Sequence, residues 1–130
     1  MADNQPHILH VHGSFTLGGK EARAIRLMNI WGDKARHAIV SADREALGAR
    51  AAIDPTVRVD FPASPPFAGR PRVGRFRDIA NFLKKYDLIL TYNWGAMDAA
   101  MAHRMFSLVS AMPPLIHHED GFNADEASGL

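Results

Sequence analysis

Short apolar runs alternate along this chain with stretches of helical periodicity, and a sheet covered on both faces follows from that order. His7 to His12 (HILHVH) reads as a first strand, bounded by Gly13. Ala24, Ile25, Leu27, Met28 and Trp31 recur at helical spacing over Lys20 to Trp31, which Gly32 and Asp33 close. His37 to Ala42 reads as a second strand, Glu45 to Ala52 as a short helix, and Thr56 to Phe61 as a third strand whose period of two gives it one wet face. Pro62 to Pro71 holds four prolines and a glycine and reads as irregular. The spacing of Val73, Phe76, Ile79, Ala80 and Leu83 predicts a helix over Pro71 to Tyr86. Asp87 to Thr91 (DLILT) is almost continuously apolar, as strands buried on both faces of a parallel sheet are. A helix over Ala96 to Ser110, a break at Pro113-Pro114 and a fifth strand over Leu115 to His118 complete the pattern. The expected fold is α/β: a Rossmann-like open parallel sheet of about five strands with helices on both faces.

Composition narrows the function classes. At 130 residues the chain supports one domain and one core. Fifteen Lys and Arg against fourteen Asp and Glu leave a net charge of +1, too balanced for general nucleic-acid binding. The lack of cysteine excludes disulfides, zinc–thiolate sites and thiol catalysis. The opening residues carry no basic segment leading into a long apolar run, so the expectation is a cytoplasmic protein. Asn123 suits an N-cap and Asp125 and Glu126 a first helical turn, yet the sequence stops at Leu130. A helix of one turn is not stable alone. The expectation is therefore that residues 1–130 are the front portion of a longer protein.

In open α/β sheets ligands bind beyond the carboxyl ends of the strands. Three loops fall there: Gly13 to Glu21 (GSFTLGGKE), Thr91 to Gly95 (TYNWG) and His117 to Phe122 (HHEDGF). Glycines and free amides at a helix start suit a phosphate, or simply a tight strand-to-helix turn. The dinucleotide pattern G-x-G-x-x-G is absent from the first loop. The loop approaches a P-loop, but an extra glycine precedes Lys20 and Glu21 stands where Ser or Thr would hold magnesium. His10, His12, His117 and His118 suit either a metal-dependent hydrolase or satisfied structural histidines. Met97, Met101 and Phe106 around His103 read as core packing. Asn93 and Trp94 offer an amide and an aromatic platform for a sugar, or a helix entry with Trp94 on the domain edge. The basic run Arg70, Arg72, Arg75, Arg77, Lys84 and Lys85 reads as a solvated face, or as a contact with a phosphorylated acceptor or with anionic lipid at the inner face of a membrane, chiefly through Arg72, Arg75 and Arg77.

Taken in order, the loops resemble the N-terminal domain of retaining glycosyltransferases of family 4, which have the GT-B fold. The carrying residues are Gly18-Gly19-Lys20-Glu21, Thr91-Tyr92-Asn93-Trp94-Gly95 and Pro114 to Phe122, spanning about positions 7 to 123. The resemblance implies a two-domain enzyme in which this half binds mainly the acceptor, and a C-terminal domain, absent here, binds most of the nucleotide-sugar. It implies retention at the anomeric carbon, usually without a metal, and no cofactor beyond the nucleotide-sugar substrate. Gly18 and Gly19 would approach the diphosphate, and Asn93, Trp94 and Glu119 would line the acceptor or sugar side. The family's histidine before the final glycine corresponds to Asp120 here, with His118 two positions earlier as the substitute. Those two are the candidates for the catalytic role. The competing readings are the hydrolase built on the histidines and a non-catalytic α/β module that binds a partner through an exposed sheet edge.

Overall fold

The structure, a computed structural model, describes residues 5–13, 15, 19–42, 48–67, 69–70 and 72–118; Gly19, Lys20 and Trp94 are described by their backbone alone. Five parallel strands form one sheet: β1 (His7–His12), β2 (Arg36–Ser41), β3 (Arg58–Asp60), β4 (Leu88–Tyr92) and β5 (Leu115–His118). Their order is β3-β2-β1-β4-β5. This is the Rossmann-like arrangement expected from the alternating pattern.

Alternation along each strand divides the core in two. Ile8, Ile39, Leu90 and Tyr92 point to one face, where Ala24, Ile25 and Met28 of α1 (Gly19–Trp31) cover them. Leu9, Val11, Ala38, Val40 and Ile89 point to the other. There they meet Phe76, Ile79 and Leu83 of α2 (Val73–Leu83), and Ala99 and Ala102 of α3 (Met97–Phe106). β1 and β4 are buried on both faces, so neither has a wet side; β4 is mostly apolar, whereas β1 carries His10 and His12 buried on the α1 face.

The elements depart from the sequence pattern for local reasons. The third strand is shortened to Arg58–Asp60 because it lies at an edge and pairs only with Arg36 to Ala38. In place of the second expected helix a 3-10 turn covers Gly48–Ala52, while residues 45–47 lie outside the described residues. Arg72 has extended backbone (φ −138°, ψ 141°), so α2 starts two residues after Pro71. Met101 of α3 is 48% exposed, which corrects its reading as core, whereas Phe106 does pack against the core; Met105 is 42% exposed. Alanines make the buried face instead, so α3 lies close to its neighbours and the longer side chains turn outward.

Arg75 is similarly reassigned. Its guanidinium donates to the carbonyls of Arg70 (2.9 Å) and Gly69 (3.1 Å) and pairs with Asp98 of α3 at 2.8 Å. With 12% of its side chain exposed, it fastens the loop before α2 to the start of α3, while Arg72 and Arg77 face solvent. Arg75→Met keeps the stem but strands these partners. We expect a loss of about 2 kcal/mol, read as a lower urea midpoint at unchanged m-value.

Candidate functional site

The site begins where two loops diverge. β1 and β4 are hydrogen-bonded neighbours, but the chain leaves β1 toward β2 and leaves β4 toward β5. A crevice opens at such a switch of direction. Its floor is made by two glycines. A Cβ added to Gly13 would lie 2.7 Å from Gly95 Cα, and one added to Gly95 would come closer still to Gly13 Cα. Any side chain at either position would hold the loops apart. The Ser41 hydroxyl donates to the Gly13 carbonyl at 3.2 Å and ties the end of β2 to the same floor.

Asn93 turns the chain out of β4 with φ +58°, a left-handed conformation that asparagine tolerates better than most residues. Its amide donates to the His118 carbonyl at 2.8 Å, and its carbonyl accepts from Ala96 at 3.2 Å. The turn Trp94–Ala96 then leads into α3. Asn93 and His118, expected in different loops of one site, are therefore direct neighbours. Gly19 opens α1. Gly18, Glu119 and Asp120 lie outside the described residues.

Three rings form a ladder across the carboxyl ends of β1, β4 and β5. Tyr92 is stacked on His12 with centroids 4.3 Å apart and planes within 4°, and on His118 at 4.8 Å and 13°. His118 Nδ1 donates to the Thr91 carbonyl at 3.3 Å. That bond fixes the tautomer and leaves Nε2 as the basic nitrogen of a half-buried ring. His117, one residue earlier, turns to the opposite face and meets the Thr91 hydroxyl at 2.7 Å through Nδ1.

A buried polar chain supports the ladder from below. The Tyr92 hydroxyl lies 3.0 Å from His10 Nδ1, and His10 Nε2 lies 2.9 Å from His37 Nδ1. His37 in turn is stacked on Trp31 at 5.7 Å and 3°, and its buried Nε2 has no hydrogen-bond partner. One proton at each junction satisfies this chain with both imidazoles neutral, the state that burial favours. Burial lowers the His10 pKa well below its ordinary value, and the positive forms of His37, His12 and His118 would lower it further. Burial, with a smaller contribution from His7, takes His37 down to about 4. Burial also pushes the Tyr92 phenol upward, so it stays protonated.

Both ring nitrogens of His10 are thus engaged, and His117 points away from His10, His12 and His118. Among the described residues no three His, Asp or Glu side chains gather into a group able to hold a metal ion. Beside the crevice lies a cavity of about 320 Å³ lined by Ile39, Val40, Ser41, Phe61, Ala63 and Ser64, with no ionisable side chain among them.

Sequence reasoning missed Tyr92, taken only as the start of a loop, and His37, taken only as part of a strand. The available signal was the register: with β1, β4 and β5 adjacent and parallel, the last strand residues His12, Tyr92 and His118 fall side by side. Strand order could not be read from the sequence, so neither could that row.

This is a Rossmann-like α/β domain with a glycine-floored crevice at its central switch of strand direction. No family model matches the chain, and no curated protein or solved structure is significantly similar to it.

Proposed function

We propose that this chain is the acceptor-side domain of a retaining glycosyltransferase that takes a sugar from a nucleotide-sugar donor. The observation that carries the reading is the close backbone contact of Gly13 with Gly95 where β1 and β4 diverge, bordered by Asn93 and His118. Three of the loops that resemble family-4 glycosyltransferases start at the ends of β1, β4 and β5, around that crevice.

In this reading the first turn of α1, from Gly19, faces the diphosphate with its free amides. His118, with Nδ1 committed to the Thr91 carbonyl, presents Nε2 toward the donor sugar or its phosphate. Asp120 lies two residues further and shares that role; Glu119, Asn93 and Trp94 contribute polar and aromatic surface to the sugar side. The neutral cavity at the ends of β2 and β3 suits the uncharged ring of an acceptor, since a charged group would be desolvated there without a counter-ion. A C-terminal domain beyond Leu130 completes the donor site. The hydrolase alternative is less well supported, because His10 has no free nitrogen for a metal.

The test is a transfer assay with a panel of uridine, guanosine and adenosine diphosphate sugars, using the chain with the coding sequence that follows it. His118→Ala is expected to lower kcat/KM by about 100-fold, the typical effect of losing one group that stabilises developing charge, with the melting temperature within a few degrees of the parent. Gly19→Trp is expected to abolish transfer. The reading fails if no donor is hydrolysed or transferred, or if both variants match the parent.

A further inference from the structure

The end of the α2–α3 layer farthest from the crevice carries a feature that the core does not use. Leu108 is 85% exposed and Val109 77%, and Met105 beside them is 42% exposed. They do not project from a frayed end. The amides of Val109 and Ser110 both return to the Phe106 carbonyl, at 3.1 and 3.0 Å. Phe106 before the turn and Met112 after it are partly buried against the core. A turn pinned on both sides therefore holds two adjacent aliphatic side chains out in water. Contiguous exposed apolar surface marks an interaction site more often than scattered single residues do.

The charge around this tip is mainly positive. Arg75 of α2 and Asp98 of α3 tie the starts of the two helices together at 2.8 Å. Both helices rise about 1.5 Å per residue, so Lys84 and Lys85 come level with Ser107 and Leu108. Lys84, Lys85 and Arg104 are all exposed, and the Lys85 ammonium lies 5.5 Å over the Phe82 ring. The one nearby acid of the following turn, Asp87, is engaged with the His7 amide at 2.8 Å.

We infer that this tip docks on an anionic lipid surface. Leu108 and Val109 enter the boundary between headgroups and acyl chains, while Lys84, Lys85 and Arg104 meet the lipid phosphates. A second copy of the chain fits poorly, because two-fold packing of this patch would set the three cations against themselves. Of the basic run read from the sequence, Lys84 and Lys85 are the members at this tip: Arg75 is bound within the fold, Arg70 and Arg72 precede α2, and Arg77 lies midway along it. Because α2 and α3 end where β4 and β5 begin, docking here leaves the crevice facing away from the lipid.

Flotation with vesicles of phosphatidylcholine alone, or of phosphatidylcholine with phosphatidylglycerol, tests this. The chain is expected to float with the anionic vesicles at low salt, to be released as salt is raised, and to stay behind with neutral ones. Leu108→Asp with Val109→Asp should lose binding by at least about ten-fold with an unchanged circular-dichroism spectrum and melting temperature. Charge reversal at Lys84, Lys85 and Arg104 should weaken it by about five-fold per cation or more. At about 0.15 M salt, where the Debye length is about 8 Å, Arg72→Glu with Arg77→Glu, about 10 Å or more from Lys84 along the helix, should stay within about two-fold. The proposal is overturned if the Leu108 and Val109 variant floats like the parent, or if neutral vesicles bind equally well. It is also overturned if the Arg72 and Arg77 variant alone abolishes binding, or if the patch supports self-association and no vesicle binding.

Discussion

Gly95→Ala will destabilise the chain by about 3 kcal/mol, near the upper end for overpacking, and lower its melting temperature by on the order of 10 °C. The added methyl group meets no side chain that could swing away. It meets the backbone of Gly13, and Gly13→Ala meets the backbone of Gly95 in return at 2.7 Å. Neither loop can yield cheaply. Gly13 follows directly on β1, and the Asn93 amide that starts the other loop is bonded to the His118 carbonyl. Opening the contact means pulling apart a register that runs from Ile8–Leu88 to Val11–Thr91. Gly74 provides the control. No atom lies within 4 Å of a Cβ built there, and it is the second residue of α2, so Gly74→Ala should add up to about 0.5 kcal/mol through helix propensity. Urea denaturation of the three proteins measures both signs. A Gly95→Ala protein as stable as the parent would mean that the two loops do not touch, and that the crevice has no such floor.

Acid will unfold this protein earlier than its carboxylates alone require. His37 is held neutral in the folded state down to about pH 4, while in the unfolded chain it takes up its proton near its ordinary value of 6.5. Between those limits the unfolded state binds more protons, so stability rises with pH. The His37 contribution is therefore complete above about pH 6.5 and is lost progressively as the pH falls toward 4. His10, fully buried and lowered well below its ordinary value, contributes with the same sign. We expect on the order of 2 kcal/mol from His37 over its window, with some of the full shift returned by screening. His37→Asn keeps an acceptor near the Nδ1 position but cannot titrate. It should start less stable, for want of the ring on Trp31, and show a flatter dependence between pH 6.5 and 4. Melting curves across that range decide the matter. An equal slope in parent and variant would remove His37 as the origin.

The two halves of this account were unequally legible in the sequence. β1 and β5 are bounded as the residue pattern indicates, Pro6 and Gly13 flanking the first and Pro114 preceding the second, and β4, marked by its apolar run, is displaced by a single residue. α3 was misread for a physical reason. Apolarity alone does not say which face of a helix is buried, and Ala99 and Ala102 won the inner face because they permit closer approach than Met101 or Met105. At the site, Asn93 and His118 were found from residue type and loop position. Tyr92 and His37 were not, since their importance comes from neighbours on other strands, His12, His118 and His10. The Gly13–Gly95 contact belongs to the same class. Each glycine was visible, but the pairing of β1 with β4 that presses them together is a property of strand order.

The proposed function requires a nucleotide-sugar to reach the ends of β1 and β4 once the donor-binding half is present. Amide chemical shifts of the 15N-labelled chain, produced with the coding sequence that follows it and titrated with UDP-glucose, GDP-mannose and ADP-glucose, report on this residue by residue. With at least one of these donors, the account predicts concentration-dependent shifts at Gly13, Gly19, Asn93, Gly95 and His118, reduced in Gly19→Trp. Shifts confined to surfaces away from those residues, or none with any of the three, would contradict it.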